Sequence, residues 1–228
     1  MNFFEDILNL FFPKLCCACD SPLVKNEELI CFHCRTRLPK AVFKSPDNNE
    51  LKDRFYGKME IEFAFAYLYF HKSGLTQKLL HQFKYNNKPE IGSMIGNWLG
   101  FDLLKHELKS DIDLILPIPL HPKKQRKRGY NQSFHFAQGI SDATKIPLDF
   151  NILKRIKHGE SQTGKTREMR WKGVEQAFMV ANDSSLQNKH VLLVDDVVTT
   201  GATIEACGRQ LYKCGASKIS VAAMAIAK

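Results

Sequence analysis

The sequence has no apolar run approaching the roughly 18–20 residues that a membrane-spanning helix needs, so no such helix is expected. The opening Met1-Asn2-Phe3-Phe4-Glu5-Asp6 carries acids where a secretory leader would carry basic residues, and the apolar stretch behind it is broken by Asn9 and Pro13. The expectation is therefore a cytoplasmic protein. The chain contains no G-x-x-x-x-G-K-[ST] string, which excludes a Walker-type phosphate loop, and no internal repeat.

What is present is a chain of 228 residues, 44% apolar. That length suits one large domain, or a small module beside one domain, and the apolar share argues against wholesale disorder. The net charge of +9 is unevenly spread: the first fifty residues hold six Lys/Arg against seven Asp/Glu, so the surplus lies beyond them. A basic excess there suits a phosphate-rich ligand, a nucleic acid, or solubility alone.

Five of the seven cysteines crowd between Cys16 and Cys34. Cys16-x2-Cys19 and Cys31-x2-Cys34 form two knuckles, each able to wrap one side of a tetrahedral ion with thiolates. Two such knuckles close all four positions and leave no place for a catalytic water. The expected metal is therefore a structural zinc, with Cys16, Cys19, Cys31 and Cys34 as ligands. Cys17 competes with Cys16 for the first place, but the Cys16 spacing matches the second knuckle. His33 is not expected to be a ligand, and Cys207 and Cys214 read as core residues.

Periodicity predicts a short helix over 3–12, a strand over 61–70 with Ile61, Phe63, Phe65, Tyr67 and Tyr69 on one face, and helices near 75–83 and 89–106. A strand over 112–117 follows, then a helix over 130–144 with Phe134, Ala137 and Ile140 on one side. His190–Val194 reads as a buried strand, Ala202–Cys214 as a helix and Ile219–Ala225 as a last strand. Apolar strands alternating with helices predict a parallel sheet covered on both faces. The expected organisation is a zinc-binding module over 1–40, a polar linker over 41–58, and an α/β domain over 59–228.

The most informative segment is Val191-Leu192-Leu193-Val194-Asp195-Asp196-Val197-Val198-Thr199-Thr200-Gly201-Ala202-Thr203. An apolar strand runs into two acids, then into a loop of small hydroxyl residues, and a helix begins. Ligands of open α/β sheets sit at the carboxyl ends of the strands. Backbone N–H groups at a helix start, with hydroxyls from Thr199, Thr200 and Thr203, suit an anionic phosphate, and Gly201 admits close approach. Asp195 and Asp196 would repel phosphate. They suit sugar hydroxyls, which donate to carboxylates.

This segment resembles the signature with which type I phosphoribosyltransferases bind 5-phosphoribosyl-1-pyrophosphate (PRPP), at all of its positions. Ile115-Leu116-Pro117-Ile118-Pro119-Leu120-His121 resembles the short strand and pyrophosphate loop of the same fold. With Arg126-Lys127-Arg128-Gly129-Tyr130-Asn131-Gln132-Ser133, Gln162-Thr163-Gly164-Lys165-Thr166-Arg167, Arg170 and the cysteine knuckles, the chain is similar to the ComF/GntX-type competence family over essentially its whole length. Phe83-Lys84-Tyr85 also fits that pattern.

The resemblance implies a type I phosphoribosyltransferase fold, a Rossmann-like parallel sheet beside a small N-terminal zinc-knuckle module. It implies PRPP binding by Asp195, Asp196, Val197, Val198, Thr199, Thr200, Gly201, Ala202 and Thr203, assisted by Leu120, His121, Arg128, Gln162 and Arg170. Asp195, Asp196 and Arg167 are the catalytic candidates, and magnesium would accompany PRPP. Residues 157–173 correspond to a loop that closes over the ligand, with Arg167 and Arg170 facing departing pyrophosphate; the plain alternative is a solvated basic loop.

Two functions stay open. One is phosphoribosyl transfer to an unidentified acceptor with release of pyrophosphate. The other is a competence protein that binds PRPP and single-stranded DNA and supports DNA uptake or transformation without classical turnover. The run Lys123–Arg128 could neutralise pyrophosphate, contact a nucleic-acid backbone, or form a solvated turn.

Overall fold

The computed structural model describes residues 12–41, 43, 45–156, 177–181 and 183–228. The helix expected over 3–12 falls almost wholly outside these residues. So does the 157–173 segment, with Gln162, Arg167 and Arg170.

The core of the molecule is a four-stranded parallel sheet in the order β1-β6-β5-β2. Its strands are β1 (Ala64–Phe70), β2 (Leu114–Pro117), β5 (His190–Val198) and β6 (Lys218–Ala227). The two central strands are almost continuously buried, because helices cover both faces. Alternation divides their side chains: Leu192, Val194, Ala222 and Met224 enter one core, whereas Val191, Leu193, Ile219, Val221 and Ala223 enter the other.

The first face is covered by α3 (Leu75–Tyr85), α4 (Glu90–Lys105) and α6 (Gln132–Thr144). Helices α4 and α6 approach closely because Gly96 and Gly139 lie at their crossing. A Cβ on Gly96 would collide with the Phe136 carbonyl oxygen, and one on Gly139 with the Ser93 carbonyl oxygen. On α6 it is Phe136, not Phe134, that joins Ala137 and Ile140 in the core. Phe134 instead packs edge-on against Phe150 outside it. The other face carries α7 (Ala202–Lys213) and a separate antiparallel pair, β3 (Leu153–Arg155) with β4 (Phe178–Val180).

The cysteine region, with α1 (Phe32–Arg37), joins the first core: Cys16, Cys17, Ile30, Cys34 and Leu38 pack in the same cluster as Leu99 of α4. The chain then runs along the free edge of the sheet, where Ala41 N donates to the Tyr67 carbonyl at 2.9 Å and Tyr69 N to the Pro39 carbonyl at 2.7 Å.

The polar composition of 41–58 suggests a passive linker, but its second half is built into the fold. Asn49 caps the short helix α2 (Glu50–Asp53) through Oδ1, while its Nδ2 donates to the Ala64 carbonyl at 3.0 Å. Leu51 and Phe55 are buried in the second core. Apolar side chains every fourth residue in a polar segment are enough to anchor it. No described helix is long and apolar enough to cross a membrane.

Candidate functional site

The site forms where β5 ends and α7 begins. The strand continues through both acids to Val198, so Asp195 and Asp196 leave the backbone on opposite sides of the sheet's carboxyl edge. Gly201 caps α7 with φ of +80° and no side-chain cap. A helix start leaves its first N–H groups without intrahelical partners, and here they open onto the loop. A Cβ at Gly201 would also stand 2.8 Å from the Phe55 ring, so the buried phenyl from α2's flank forms the floor of the turn. Asp195 and residues 197–204 line one small cavity of about 40 Å³. Thr199 and Thr200 are exposed there, and the Ala202 N–H turns toward Thr200 Oγ1 at 3.4 Å.

The acids have partners from several elements. Asp195 Oδ1 accepts from Ser133 Oγ at 3.0 Å and from the Asp196 N–H at 2.8 Å. Asp196 Oδ2 lies 2.7 Å from Lys84 Nζ. Loss of solvent, then the neighbouring Asp196 carboxylate, push the Asp195 carboxyl up to about 7, against the opposing pull of the Asp196 N–H, Ser133 and Lys84. Arg155 of β3 feels both Asp195 and Cys207, but burial is the first influence on it and lowers its pKa. Its guanidinium stacks on Phe178 at 5.1 Å.

Beside β5, the β2 strand delivers the second loop. Ile118 N donates to the Val194 carbonyl at 2.8 Å, extending the ladder to the edge where the acids sit. Leu120 and His121 follow, both half-buried. His121 Nδ1 accepts from Lys123 N at 3.1 Å and caps α5 (Pro122–Arg128). Burial, then the cations Arg155, Lys123 and Lys124, lower the His121 pKa. The basic run is thus a helix, none of whose residues is buried. Gly129 ends it with φ of +83°, Arg128 donates to Gln132 Oε1 at 2.9 Å, and Asn131 Nδ2 donates to the Ile118 carbonyl at 3.0 Å.

Thus the structure brings together Asp195, Asp196, residues 197–203, Leu120, His121 and Arg128 at one edge of the sheet. Sequence reasoning missed Lys84, Ser133 and Arg155 as site residues. Ser133 and Lys84 lay within quoted runs but carried no spacing signal, and Arg155 had none at all.

In the N-terminal module, the sulfur atoms of Cys16, Cys19, Cys31 and Cys34 lie within 4.8 Å of one another, the set expected from the spacing, with Cys17 outside it. Four sulfurs about 2.3 Å from one ion would stand about 3.8 Å apart. Cys19 and Cys31 are 3.7 Å apart. Cys31 N points at Cys16 Sγ at 3.3 Å and Cys34 N at Cys31 Sγ at 3.4 Å, as N–H groups do around thiolates. These residues fit a metal ion.

A family profile described as phosphoribosyl transferase domain matches residues 131–228, from the start of α6 through the acids and loop to the end of the chain. Competence protein F of Haemophilus influenzae is 34% identical over 148 residues, 63% of this chain and 64% of that protein. The DNA utilization protein YhgH of Escherichia coli O157:H7 is 28% identical over 146 residues, 63% of each chain. Competence protein ComFC of Bacillus subtilis is 22% identical over 231 residues, 88% of this chain and 90% of that one. The first two alignments span less than two thirds of those relatives' length.

Proposed function

We propose, from the match of residues 131–228 to the phosphoribosyl transferase domain profile and the similarity to ComF-type competence proteins, that the chain binds PRPP at the β5–α7 edge and transfers the phosphoribosyl group to an acceptor with release of pyrophosphate. The single observation that carries this reading is the turn at residues 199–203: a helix start with no side-chain cap, a left-handed Gly201 and three threonines around a small cavity that Asp195 also lines, with Asp196 next to it in the strand. In this reading the 5-phosphate lies on the amides and hydroxyls of Thr199–Thr203, and Asp195 and Asp196 accept the ribose hydroxyls. As the bond from C1 to pyrophosphate lengthens, positive charge develops on the sugar, and the two carboxylates favour it. The remote phosphate contact holds C1 in register. Leu120, His121 and Arg128 would flank the pyrophosphate, and Gln162, Arg167 and Arg170 would approach it from outside the described residues. Magnesium bound with PRPP would supply charge neutralisation of the leaving group.

The proposed organisation is a metal module over 1–40 and a transferase-like body over 59–228, joined by 41–58. Cys16, Cys19, Cys31 and Cys34 would hold zinc in a structural role, since four thiolates close its tetrahedron. Calorimetry with PRPP and Mg²⁺ tests the binding reading. Saturable binding is expected for the wild-type chain and none for Asp195→Asn with Asp196→Asn. Equal binding by both would refute it.

A second reading is favoured by one further observation. Residues Lys123–Lys127 of helix α5 are exposed and basic, and beside the helix Tyr85 is 56% exposed. Such a surface suits a single-stranded nucleic acid, with phosphates on the cations and a base on the ring. Two of the relatives are named for competence and one for DNA utilization. This reading places PRPP and single-stranded DNA on one competence protein and needs no turnover. Removing the charges of Lys123–Arg128 is then expected to weaken DNA binding and flatten its salt dependence, with PRPP consumption staying undetectable in an acceptor screen. DNA affinity independent of salt would contradict it.

A further inference from the structure

Three consecutive residues at the end of α3 reach three different parts of the site. The Phe83 carbonyl accepts from the Tyr130 hydroxyl. Lys84 Nζ meets Asp196 Oδ2 at 2.7 Å. The Tyr85 ring lies 5.5 Å from the Arg128 guanidinium that faces it. Lys84 is therefore held on both flanks, unlike an ordinary surface lysine, and the side chains of the pair are only 20% and 17% exposed. Salt screens such a pair weakly.

The placement matters because the two carboxylates are adjacent in sequence, and like charges at close range suppress one another's ionisation. Charged or titratable groups facing the acids come from three elements: Lys84 from α3, Arg155 from β3 and the buried Cys207 from α7. Helix α6 adds only the Ser133 hydroxyl. Of these cations, Lys84 is the one in ion-pair contact with the acids among the described residues.

We infer that Lys84 is a positioning residue of this site: its ammonium is the internal counter-ion that favours the ionised form of the Asp195–Asp196 pair in the ligand-free protein, ready to accept the hydroxyls of a sugar phosphate. The identity of that ligand rests on the function proposed above, but the counter-ion role does not. The direction of the Asp195 shift agrees, since Lys84 opposes the rise that burial and Asp196 cause. The sugar hydroxyls bring no charge of their own, so Lys84 can stay nearby while they take over lone pairs of Asp196.

The test follows the ¹³C carboxyl signal of Asp195, assigned with Asp195→Asn, against pH in the full chain. Lys84→Met keeps the stem and removes the charge, while Lys84→Arg keeps the charge. The Asp195 midpoint is expected to rise by about half a unit or more in Lys84→Met and to stay at the wild-type value in Lys84→Arg. An unchanged midpoint in a folded Lys84→Met protein overturns the inference. Calorimetry with PRPP and Mg²⁺ runs beside it. Lys84→Met is expected to bind about twofold more weakly at pH 7 for a rise of about half a unit, more for a larger rise, and to recover at higher pH, a rescue that a merely structural role would not give. Because the carboxyl titration contains no ligand, a wild-type chain that fails to bind PRPP would refute the sugar-phosphate reading while the midpoint still decides the role of Lys84.

Discussion

Gly201 concentrates the chemistry of the loop in one residue. Its φ of +80° lies where side chains are strained, and the Phe55 ring stands where a Cβ would go. Gly201→Ala is expected to cost about 1–3 kcal/mol in a denaturant melt, and to weaken PRPP binding by moving the amides. Asp195 gives a second prediction, with a definite sign. Its folded pKa, near 7, stands above the ordinary carboxylate value, so the folded chain holds a proton that the unfolded chain has lost. Its contribution to stability is full below about pH 4 and disappears as pH rises through 7. Asp195→Asn, whose side-chain oxygen can keep the Ser133 and Asp196 N–H bonds, is expected to flatten that slope. It should be more stable than wild type at pH 8 by on the order of 1 kcal/mol, discounted for partial exposure. Thermal melts across pH 4–8 check it, and equal slopes would contradict it. Both acids and Gly201 could be read from the sequence because they are consecutive with the strand that aims them. Lys84 could not, because only the folded chain brings it to Asp196.

Among the elements, β5 and α7 were legible because an apolar strand, a turn and an amphipathic helix follow one another without interruption. Helix α5 was not, since a run of cations with no apolar face has no period to read; its helicity shows only in the His121 cap, the proline at its start and the left-handed Gly129. The β3–β4 pair was equally hidden, because each strand has three residues and the partners are far apart in sequence. Where the period was read, it went astray by one face at Phe134, since aromatics flank His135 on both sides and only Phe136 points inward. The α4–α6 crossing makes its own prediction. Gly96→Ala and Gly139→Ala each drive a methyl against backbone rather than a pliable side chain, so about 2–3 kcal/mol of stability is expected to be lost from each. Because α6 carries Ser133 and β2 returns through Asn131, these changes should also weaken PRPP binding. Chemical denaturation paired with calorimetry measures both effects.

At the scale of the whole molecule, the cysteine cluster and the sheet share one core, with Arg35 of α1 stacked 4.8 Å over Trp98 of α4. The cysteine spacing announced the ligand set, but nothing in the sequence announced this packing, because the contacts join positions far apart in the chain. Metal loss should therefore be felt beyond the first forty residues. The purified chain is expected to hold one zinc ion. Removing it with a chelator, or making Cys34→Ala, is expected to lower the melting temperature of the entire transition by several degrees, whereas Cys17→Ala should keep the metal. Metal analysis with a melt followed by tryptophan fluorescence in a Trp171→Phe background, which leaves Trp98 as the sole reporter, distinguishes these outcomes. The central claim is more local: the turn between β5 and α7 receives a sugar phosphate. Its most direct test is an amide ¹H–¹⁵N titration of the full chain with PRPP and Mg²⁺. The account predicts saturable shifts of the Thr199–Thr203 amides, absent from the Asp195→Asn, Asp196→Asn double variant; saturation with those amides unmoved would contradict it.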